Sequence, residues 1–181
     1  RIPTVGYAAS DAWVVGDGGV VRIVRTGGYR IETLAPGATA VTGPSYAYET
    51  RPVTAADRIA YVRRFNETSP MSGKGPNGGM GYSPKMSEAD LAAMAQGTQY
   101  AERHPMFADV VAGPSGRLWV GHPAEDGKPV IYDVFDGSGK RVSLVELKPG
   151  RRVAAVGRQS VYVVAETEEG VQRLERYAVP Q

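Results

Sequence analysis

The chain has 181 residues, of which 42% are hydrophobic and 22% are charged, a composition typical of a globular protein with a buried core. Its 21 lysines and arginines nearly balance its 19 aspartates and glutamates, so it lacks the basic excess that supplies most of the affinity for nucleic acid. Cysteine is absent, which excludes disulfides, thiolate metal sites and cysteine nucleophiles, and no apolar run approaches the roughly 20 residues that span a bilayer.

The first segment, residues 1–43, predicts a β-meander. Short apolar stretches alternate with glycine-containing turns, and residues 29–34 show the period-two alternation of a half-buried strand. Trp13 is expected in the core. Strands are predicted at residues 5–9, 13–15, 20–24 and 29–34.

Residues 44–105 break this rhythm and predict a helical, Gly/Met-rich insert. Thr54 is a suitable N-cap for one helix, and Ser87 opens a second with a capping-box variant that has aspartate in place of glutamate. The two helices are predicted over residues 54–66 and 87–97. Between them, residues 69–84 are rich in glycine, proline, serine and methionine. Loops of this length in a compact domain are usually functional, disordered or laid across a partner.

Aromatic residues and methionines concentrate in this insert. All five methionines fall between residues 71 and 106, and interfaces favour tyrosine and methionine because they bury much area with little charge. We therefore expect the insert to bind another protein; the alternative is that it packs on the chain's own sheets. The candidate partner-binding residues are Tyr61, Phe65, Met71, Met80, Tyr82, Met86, Met94 and Tyr100.

Residues 106–181 return to the β pattern and predict two further meanders, of four strands and then three. The segment Gly137-Ser138-Gly139-Lys140 lies between two of these strands, so it is interpreted as a hairpin turn and not as a phosphate-binding loop. Residues 168–170 are expected to form the last hairpin turn. Strands are predicted at residues 107–112, 117–121, 130–135, 141–147, 153–156, 160–166 and 171–179.

One segment carries a family resemblance. Residues 109–120, Asp-Val-Val-Ala-Gly-Pro-Ser-Gly-Arg-Leu-Trp-Val, resemble the inner-strand repeat of six-bladed β-propellers, and residues 132–140 and 153–163 are similar to the rest of that blade and the start of the next. The resemblance implies an all-β fold of two to three antiparallel, propeller-like blades in an incomplete ring, similar to the C-terminal half of a bacterial six-bladed protein. A full ring needs roughly 250 residues or more. The open sheets of an incomplete ring would need cover from a missing N-terminal half, a second copy, the insert or another protein.

The sequence shows no catalytic constellation. His104 and His122 lie far apart, each next to a proline, and are expected at the surface or in turns rather than in a metal site. Asp126, Asp133 and Asp136 either line a propeller mouth as calcium ligands or general bases, or are ordinary turn and strand-end residues; the second interpretation is favoured. We therefore expect no catalytic residue, no cofactor and no metal.

Three functions fit these observations. The favoured one is a non-catalytic scaffold or accessory subunit that binds other proteins, membrane-extrinsic on a bacterial respiratory or photosynthetic complex. The second is half of a ligand-binding or calcium-dependent hydrolase-type propeller, and the third is a sensor domain for a sugar or peptide. Because the sequence begins with Arg1, a cleaved signal peptide or a trimmed start is expected, and we predict a periplasmic or cell-envelope location, with secretion as the alternative.

Overall fold

The computed structural model describes residues 5–68, 73–74, 80–81, 86–125, 127–167 and 171–179. Contacts divide the chain into a helical unit, Arg1–Ala8 with Thr50–His104, and a sheet unit, Ala9–Glu49 with Pro105–Gln181. The elements in chain order are β1 (Ala12–Val15), β2 (Val21–Arg25), β3 (Arg30–Leu34), β4 (Val41–Thr42), α1 (Ala55–Thr68), β5 (Gly73–Lys74), β6 (Met80–Gly81), α2 (Glu88–Gly97), β7 (Asp109–Ala112), β8 (Leu118–Gly121), β9 (Val130–Phe135), β10 (Arg141–Leu147), β11 (Arg151–Val156), β12 (Ser160–Glu166) and β13 (Gln172–Ala178).

Three antiparallel sheets make up the sheet unit. Sheet I has the order β1-β2-β3-β4, sheet II the order β10-β9-β8-β7, and sheet III the order β11-β12-β13. Within each sheet, every strand pairs antiparallel with its neighbour in the sequence, so each of the three sheets is a meander. The prediction of a mostly antiparallel β fold is confirmed.

The turn between β9 and β10 shows why the sequence forms these hairpins. Asp136 Oδ1 accepts hydrogen bonds from the backbone N–H groups of Ser138 at 2.9 Å and Lys140 at 3.0 Å. Gly139 has a φ of +80°, and a Cβ there would lie 3.2 Å from Cβ of Ile31. Glycine is therefore required both by the backbone conformation and by the close approach of sheet I. The interpretation of this segment as a hairpin turn is confirmed.

Sheet II packs between sheets I and III. Because successive side chains of a strand point to opposite faces, β8 and β9 each contribute to two cores, and all four residues of β8 are buried. The core between sheets I and II contains Val24, Tyr29, Ile31, Phe107, Leu118, Val120 and Phe135. The core between sheets II and III contains Trp119, Tyr132, Val134, Val153, Val161 and Val163.

The first strands of the three sheets are adjacent. Strand β1 contacts β7, and β7 in turn contacts β11. The turns that follow β1 and β7 also touch each other. The sheet unit therefore repeats one arrangement: a meander starts beside the first strand of the preceding meander and packs one face on it.

The helical unit is built on two capped helices, as predicted. Thr54 Oγ1 accepts from the backbone N–H of Asp57, and the Asp57 carboxylate accepts from the backbone N–H of Thr54 at 2.8 Å, the reciprocal pattern of a capping box. Ser87 Oγ accepts from the backbone N–H of Asp90 at 3.2 Å. The small apolar core of this unit consists of Val62, Leu91 and Ala95.

Two predictions of secondary structure need correction, one about a strand and one about the end of a helix. Residues 5–9 were expected to form a strand, but Gly6 makes only an isolated bridge with Tyr100. Tyr7 has a φ of +59°, a left-handed conformation that no strand can continue. The first helix also runs to Thr68, two residues past its predicted end. Of residues 69–84, only the backbone of the paired β5 and β6 is described.

Candidate functional site

Asp133 is the centre of a buried polar cluster in the sheet unit. It lies within β9, where Ile131 and Phe135 share its face of the sheet. This face is the one that packs against sheet I through Phe135. Asp133 is 1% exposed, so its carboxylate depends on protein groups for the hydrogen bonds that water would otherwise supply.

Three side chains point at this carboxylate. The Tyr29 hydroxyl donates to Oδ2 at 2.8 Å, and His122 Nε2 lies 3.0 Å from the same oxygen. Arg141 Nη1 lies 3.4 Å from both carboxylate oxygens. Tyr29 precedes β3, His122 follows β8, and Arg141 begins β10. We call these four residues, together with Tyr48, the Asp133 cluster.

The imidazole of His122 is held on three sides. Its Nδ1 lies 2.7 Å from the carbonyl oxygen of Met106, and its Nε2 faces Asp133. Both partners are hydrogen-bond acceptors, so each ring nitrogen faces an oxygen atom. The ring of Tyr48 stacks on the imidazole with a centroid distance of 4.3 Å and an interplanar angle of 11°.

The environment keeps Asp133 ionised. Burial raises its pKa, but hydrogen bonds from His122 and Tyr29 and the charges of His122 and Arg141 lower the pKa by more, so the net pKa lies below the usual value. Burial, the charge of Asp133 and the hydrogen bond to it raise the pKa of Tyr29 far above its usual value. The Tyr29 hydroxyl therefore remains a donor.

Tyr46 contacts both the backbone and the guanidinium group of Arg141. Its hydroxyl accepts from the backbone N–H of Arg141 at 2.8 Å. The guanidinium carbon of Arg141 lies over the Tyr46 ring, 4.9 Å from its centroid, within the range of a cation–π contact. The Arg141 side chain is 41% exposed, so it borders both the buried cluster and solvent.

A pocket of about 230 Å³ adjoins the Asp133 cluster within the sheet unit. Asp133, His122 and Arg141 form its polar end. The rest of the wall is largely apolar and consists of Tyr48, Pro123, Ala124, Pro129, Ile131 and Leu144. The arrangement offers a small, mostly apolar space with charged groups at one end, the usual composition of a ligand pocket.

Sheet I also carries an exposed apolar face. Ala12 and Val14 pack toward sheet II, so the alternating residues of β1 point away from it. Trp13 is 68% exposed and Val15 54% exposed. The register aligns Trp13 with Ile23, and Val15 with Val21 and Leu34. We call these residues the outer face of sheet I: Trp13, Val15, Val21, Ile23 and Leu34.

Ion pairs border this face at one end. Arg25 lies 2.7 Å from both Asp11 and Glu32, and Arg30 lies 3.1 Å from Glu32. A hydrogen bond from the Thr26 backbone N–H and the contact with Arg25 lower the pKa of Asp11 to about 2. These groups stay ionised at neutral pH and largely compensate one another.

The predicted partner-binding residues fall into three groups. Tyr61 and Met86 pack against the small core of the helical unit, and Tyr100 meets Tyr61 edge to face at 5.7 Å. Phe65 is 45% exposed and Met94 37% exposed. Met71 and Tyr82 lie outside the described residues, and for Met80 only the backbone strand β6 is described.

Both histidines were expected at the surface or in turns, and this expectation is wrong. His122 is 7% exposed and His104 is 5% exposed. His104 Nε2 lies 3.2 Å from Asp57 Oδ2, a carboxylate that also holds Arg51 at 2.8 Å. Each histidine is thus paired with a carboxylate in the interior of its own unit.

The three predicted aspartates have separate positions. Asp136 is a turn residue, as the favoured interpretation holds. Asp133 is buried within β9, so the description of it as a turn or strand-end residue is wrong. Asp126 lies outside the described residues. Among the residues that the structure describes, no group of three or more His, Asp or Glu side chains is arranged to hold a metal ion.

The sequence did contain a signal for the Asp133 cluster. Asp133 is the single charged residue in the otherwise apolar run of β9, and a charge in a buried strand requires partners. Its partner Tyr29 is 104 positions away, which no local pattern reveals. Trp119 lies in the core as expected, at 1% exposure, whereas the expectation that Trp13 is buried is wrong.

Comparison of the chain with protein-family models, curated proteins and solved structures finds no match. No helix within the described part of the chain has the length and apolar character needed to cross a membrane.

Proposed function

We propose that this chain is a non-catalytic protein-binding module whose outer face of sheet I packs against a β-sheet of another protein. The observation that carries the proposal is the 68% exposure of Trp13 on strand β1, next to the valine, isoleucine and leucine side chains of the outer face. Contiguous exposed apolar patches are uncommon on monomeric proteins and mark interaction sites.

The outer face has the residue pattern of a buried sheet surface. Apolar residues sit directly opposite each other across three strands, as Val15, Val21 and Leu34 do. The core between sheets I and II is built in the same way, from apolar side chains that neighbour each other on one face of adjacent strands. Fully burying a large apolar side chain is worth about 1.5–3 kcal/mol, so covering this face would be strongly favourable.

The surrounding charges fit the same interpretation. The ion pairs of Arg25 with Asp11 and Glu32 lie at the edge of the apolar residues, and their charges are already compensated. Protein interfaces commonly have an apolar centre and a polar rim. A partner therefore needs no strong charge of its own to pack on this face.

The arrangement of the three sheets supports a sheet as the partner. Sheets II and III each pack against the preceding sheet, with first strands β1, β7 and β11 adjacent. This arrangement supports the interpretation of the sheets as propeller-like blades in an incomplete ring. A further sheet that packs on the outer face of sheet I would continue the same series.

The helical unit supplies a second candidate contact. Phe65 and Met94 are exposed on α1 and α2 and are retained here as proposed partner-binding residues. Tyr61 and Met86 act in this proposal as the core that supports the helices. The setting that we propose is that of an accessory subunit in the bacterial cell envelope, extrinsic to a membrane complex.

The proposal is tested with three versions of the full chain, expressed with a tag in the source cells. They are the unchanged chain, Trp13→Asp, and Leu174→Asp as a matched control, because Leu174 on β13 is 67% exposed but lies on sheet III. After gentle solubilisation, we expect one protein to co-purify at a fixed ratio with the unchanged chain and with Leu174→Asp, and to be lost from Trp13→Asp. Recombining that purified protein with each version should reproduce the difference.

Two results would contradict the proposal. Equal recovery of the co-purified protein with Trp13→Asp would show that the outer face of sheet I is not the contact. A dimer of the isolated chain in sedimentation that disappears with Trp13→Asp would show that the face is covered by a second copy instead of another protein.

A further inference from the structure

We propose that the pocket beside the Asp133 cluster binds a small organic carboxylate with an apolar body. This site is separate from the outer face of sheet I, and its ligand is a small molecule rather than a protein. Three features of the pocket support this inference: the occupied carboxylate at its polar end, the hydrogen-bond donors that Arg141 presents, and the apolar walls.

The carboxylate at the polar end of the pocket is already occupied. Asp133 supplies this carboxylate and Arg141 supplies a guanidinium beside it. The Asp133 oxygens already face the donors of Tyr29, His122 and Arg141. The carboxylate is therefore occupied by protein donors, and a cationic ligand would lie next to the like charge of Arg141.

Part of the Arg141 guanidinium is available to bind a ligand. A guanidinium carries five N–H groups in one plane. Among the described residues, only its Nη1 reaches side-chain acceptors, and both contacts with Asp133 are as long as 3.4 Å. The side chain is 41% exposed and is fixed over the ring of Tyr46. The remaining edge suits a carboxylate, which guanidinium groups bind through two parallel hydrogen bonds.

The other walls favour an apolar body on the ligand. Ile131 and Leu144, on adjacent strands of sheet II, form one side of the pocket. Pro123, Ala124 and Pro129 also line it. The ring of Tyr48, stacked on His122, provides an aromatic surface. Ile131 is 37% exposed and Leu144 is 58% exposed, so a ligand that covers them removes apolar area from water.

The size of the pocket limits the ligand. Its volume of about 230 Å³ lies just below the range of roughly 300–1,000 Å³ typical of drug-sized ligands. The inferred class is therefore a monocarboxylate with one aromatic ring or a short branched chain. Benzoate is a suitable probe, and benzamide is its neutral counterpart of nearly equal shape.

The test measures binding of benzoate and benzamide to the full chain by titration, followed through NMR signals of the Ile131 and Leu144 methyl groups. We expect benzoate to shift these signals with a Kd near or below about 1 mM, and benzamide to bind about tenfold more weakly or worse, because a hydrogen bond to a charged group is worth about a factor of ten or more. Arg141→Gln should weaken benzoate binding about tenfold or more. The control Arg152→Gln, on β11 and outside the pocket, should leave it unchanged.

A second variant covers the case in which Arg141→Gln does not fold. Leu144→Glu changes an exposed side chain and adds a negative charge at the rim of the pocket, so it should weaken benzoate several-fold while benzamide is unaffected. The inference is overturned by any of three results: no benzoate binding at about 10 mM, equal affinity for benzoate and benzamide, or unchanged benzoate affinity in whichever of the two pocket variants folds.

Discussion

Replacing Tyr29 by phenylalanine removes one oxygen atom from the core between sheets I and II. That oxygen donates to Asp133 at 2.8 Å, and Tyr29 and Asp133 are each 1% exposed. The ring itself, with its edge contact to Phe135 at 5.8 Å, is retained. The substitution therefore isolates a single hydrogen bond between two sheets.

The structure sets the size of the effect. A hydrogen bond to a charged group contributes about 1.5–3 kcal/mol, and water cannot replace the lost donor at a carboxylate that is 1% exposed. His122 at 3.0 Å and Arg141 at 3.4 Å remain, so the loss should be smaller than the roughly 3–5 kcal/mol for stranding a buried charge. We expect Tyr29→Phe to lower the free energy of unfolding by about 2 kcal/mol at pH 7.

Urea denaturation followed by tryptophan fluorescence measures the free energy of unfolding of the sheet unit, which contains the hydrogen bond between Tyr29 and Asp133. Both tryptophans, Trp13 and Trp119, belong to the sheet unit, and the buried Trp119 reports its unfolding. The matched control is Tyr162→Phe, which removes the hydroxyl of a half-buried tyrosine in β12. It should change the free energy of unfolding by no more than about 0.5 kcal/mol.

The pH dependence follows from the lowered pKa of Asp133. A carboxylate with a lowered folded-state pKa contributes stability that is fully present above its unfolded pKa of about 3.9. That stability is lost as the pH falls toward the folded value. The difference between the unchanged chain and Tyr29→Phe should therefore shrink below about pH 4. A difference under 0.5 kcal/mol at pH 7, or one equal to that of Tyr162→Phe, would refute the reasoning.

Four further substitutions test the packing and the local structure. Trp119→Ala should cost about 3–5 kcal/mol in urea denaturation followed by circular dichroism, since the substitution removes the fluorescent reporter. In the same measurement Trp13→Ala should stay within about 0.5 kcal/mol, and similar losses for both would contradict the assigned burial. Ser87→Ala removes the N-cap of α2 and should lower the hydrogen-exchange protection of this helix by about 1 kcal/mol, so unchanged protection would argue against the cap. Gly139→Ala forces a side chain into a left-handed, crowded turn and should cost about 1–3 kcal/mol; a neutral result in the same urea assay would rule out that crowding.

The meanders could be predicted because their determinants are local. Strand β8 and strand β9 match the predicted residues 117–121 and 130–135 closely, since glycine-containing turns fix where each strand ends. The N-caps Thr54 and Ser87 were likewise found from short spacing rules. Strand pairing followed from the short turns, which leave antiparallel pairing of consecutive strands as the simplest outcome.

Other features could not be predicted, because the sequence does not show which face of a sheet packs on a neighbouring sheet. The alternation in β1 places Trp13 and Val14 on opposite faces, but it does not say which face meets sheet II, and Trp13 was assigned to the wrong one. Tyr7, in a left-handed conformation at φ +59°, ended a predicted strand without a glycine to mark it. Tyr29 joins the Asp133 cluster only through the packing of sheet I on sheet II.

The most direct test of the proposed function is site-specific photo-crosslinking in the source cells. A photoreactive amino acid is placed at Trp13 on the outer face of sheet I, and in a parallel chain at Leu174 on sheet III as the control. We predict a single adduct of defined mass from position 13 with another protein, mapped to a β-strand of that protein, and none from position 174. No adduct from position 13, or the same adducts from both positions, would contradict the proposal that this face binds a partner.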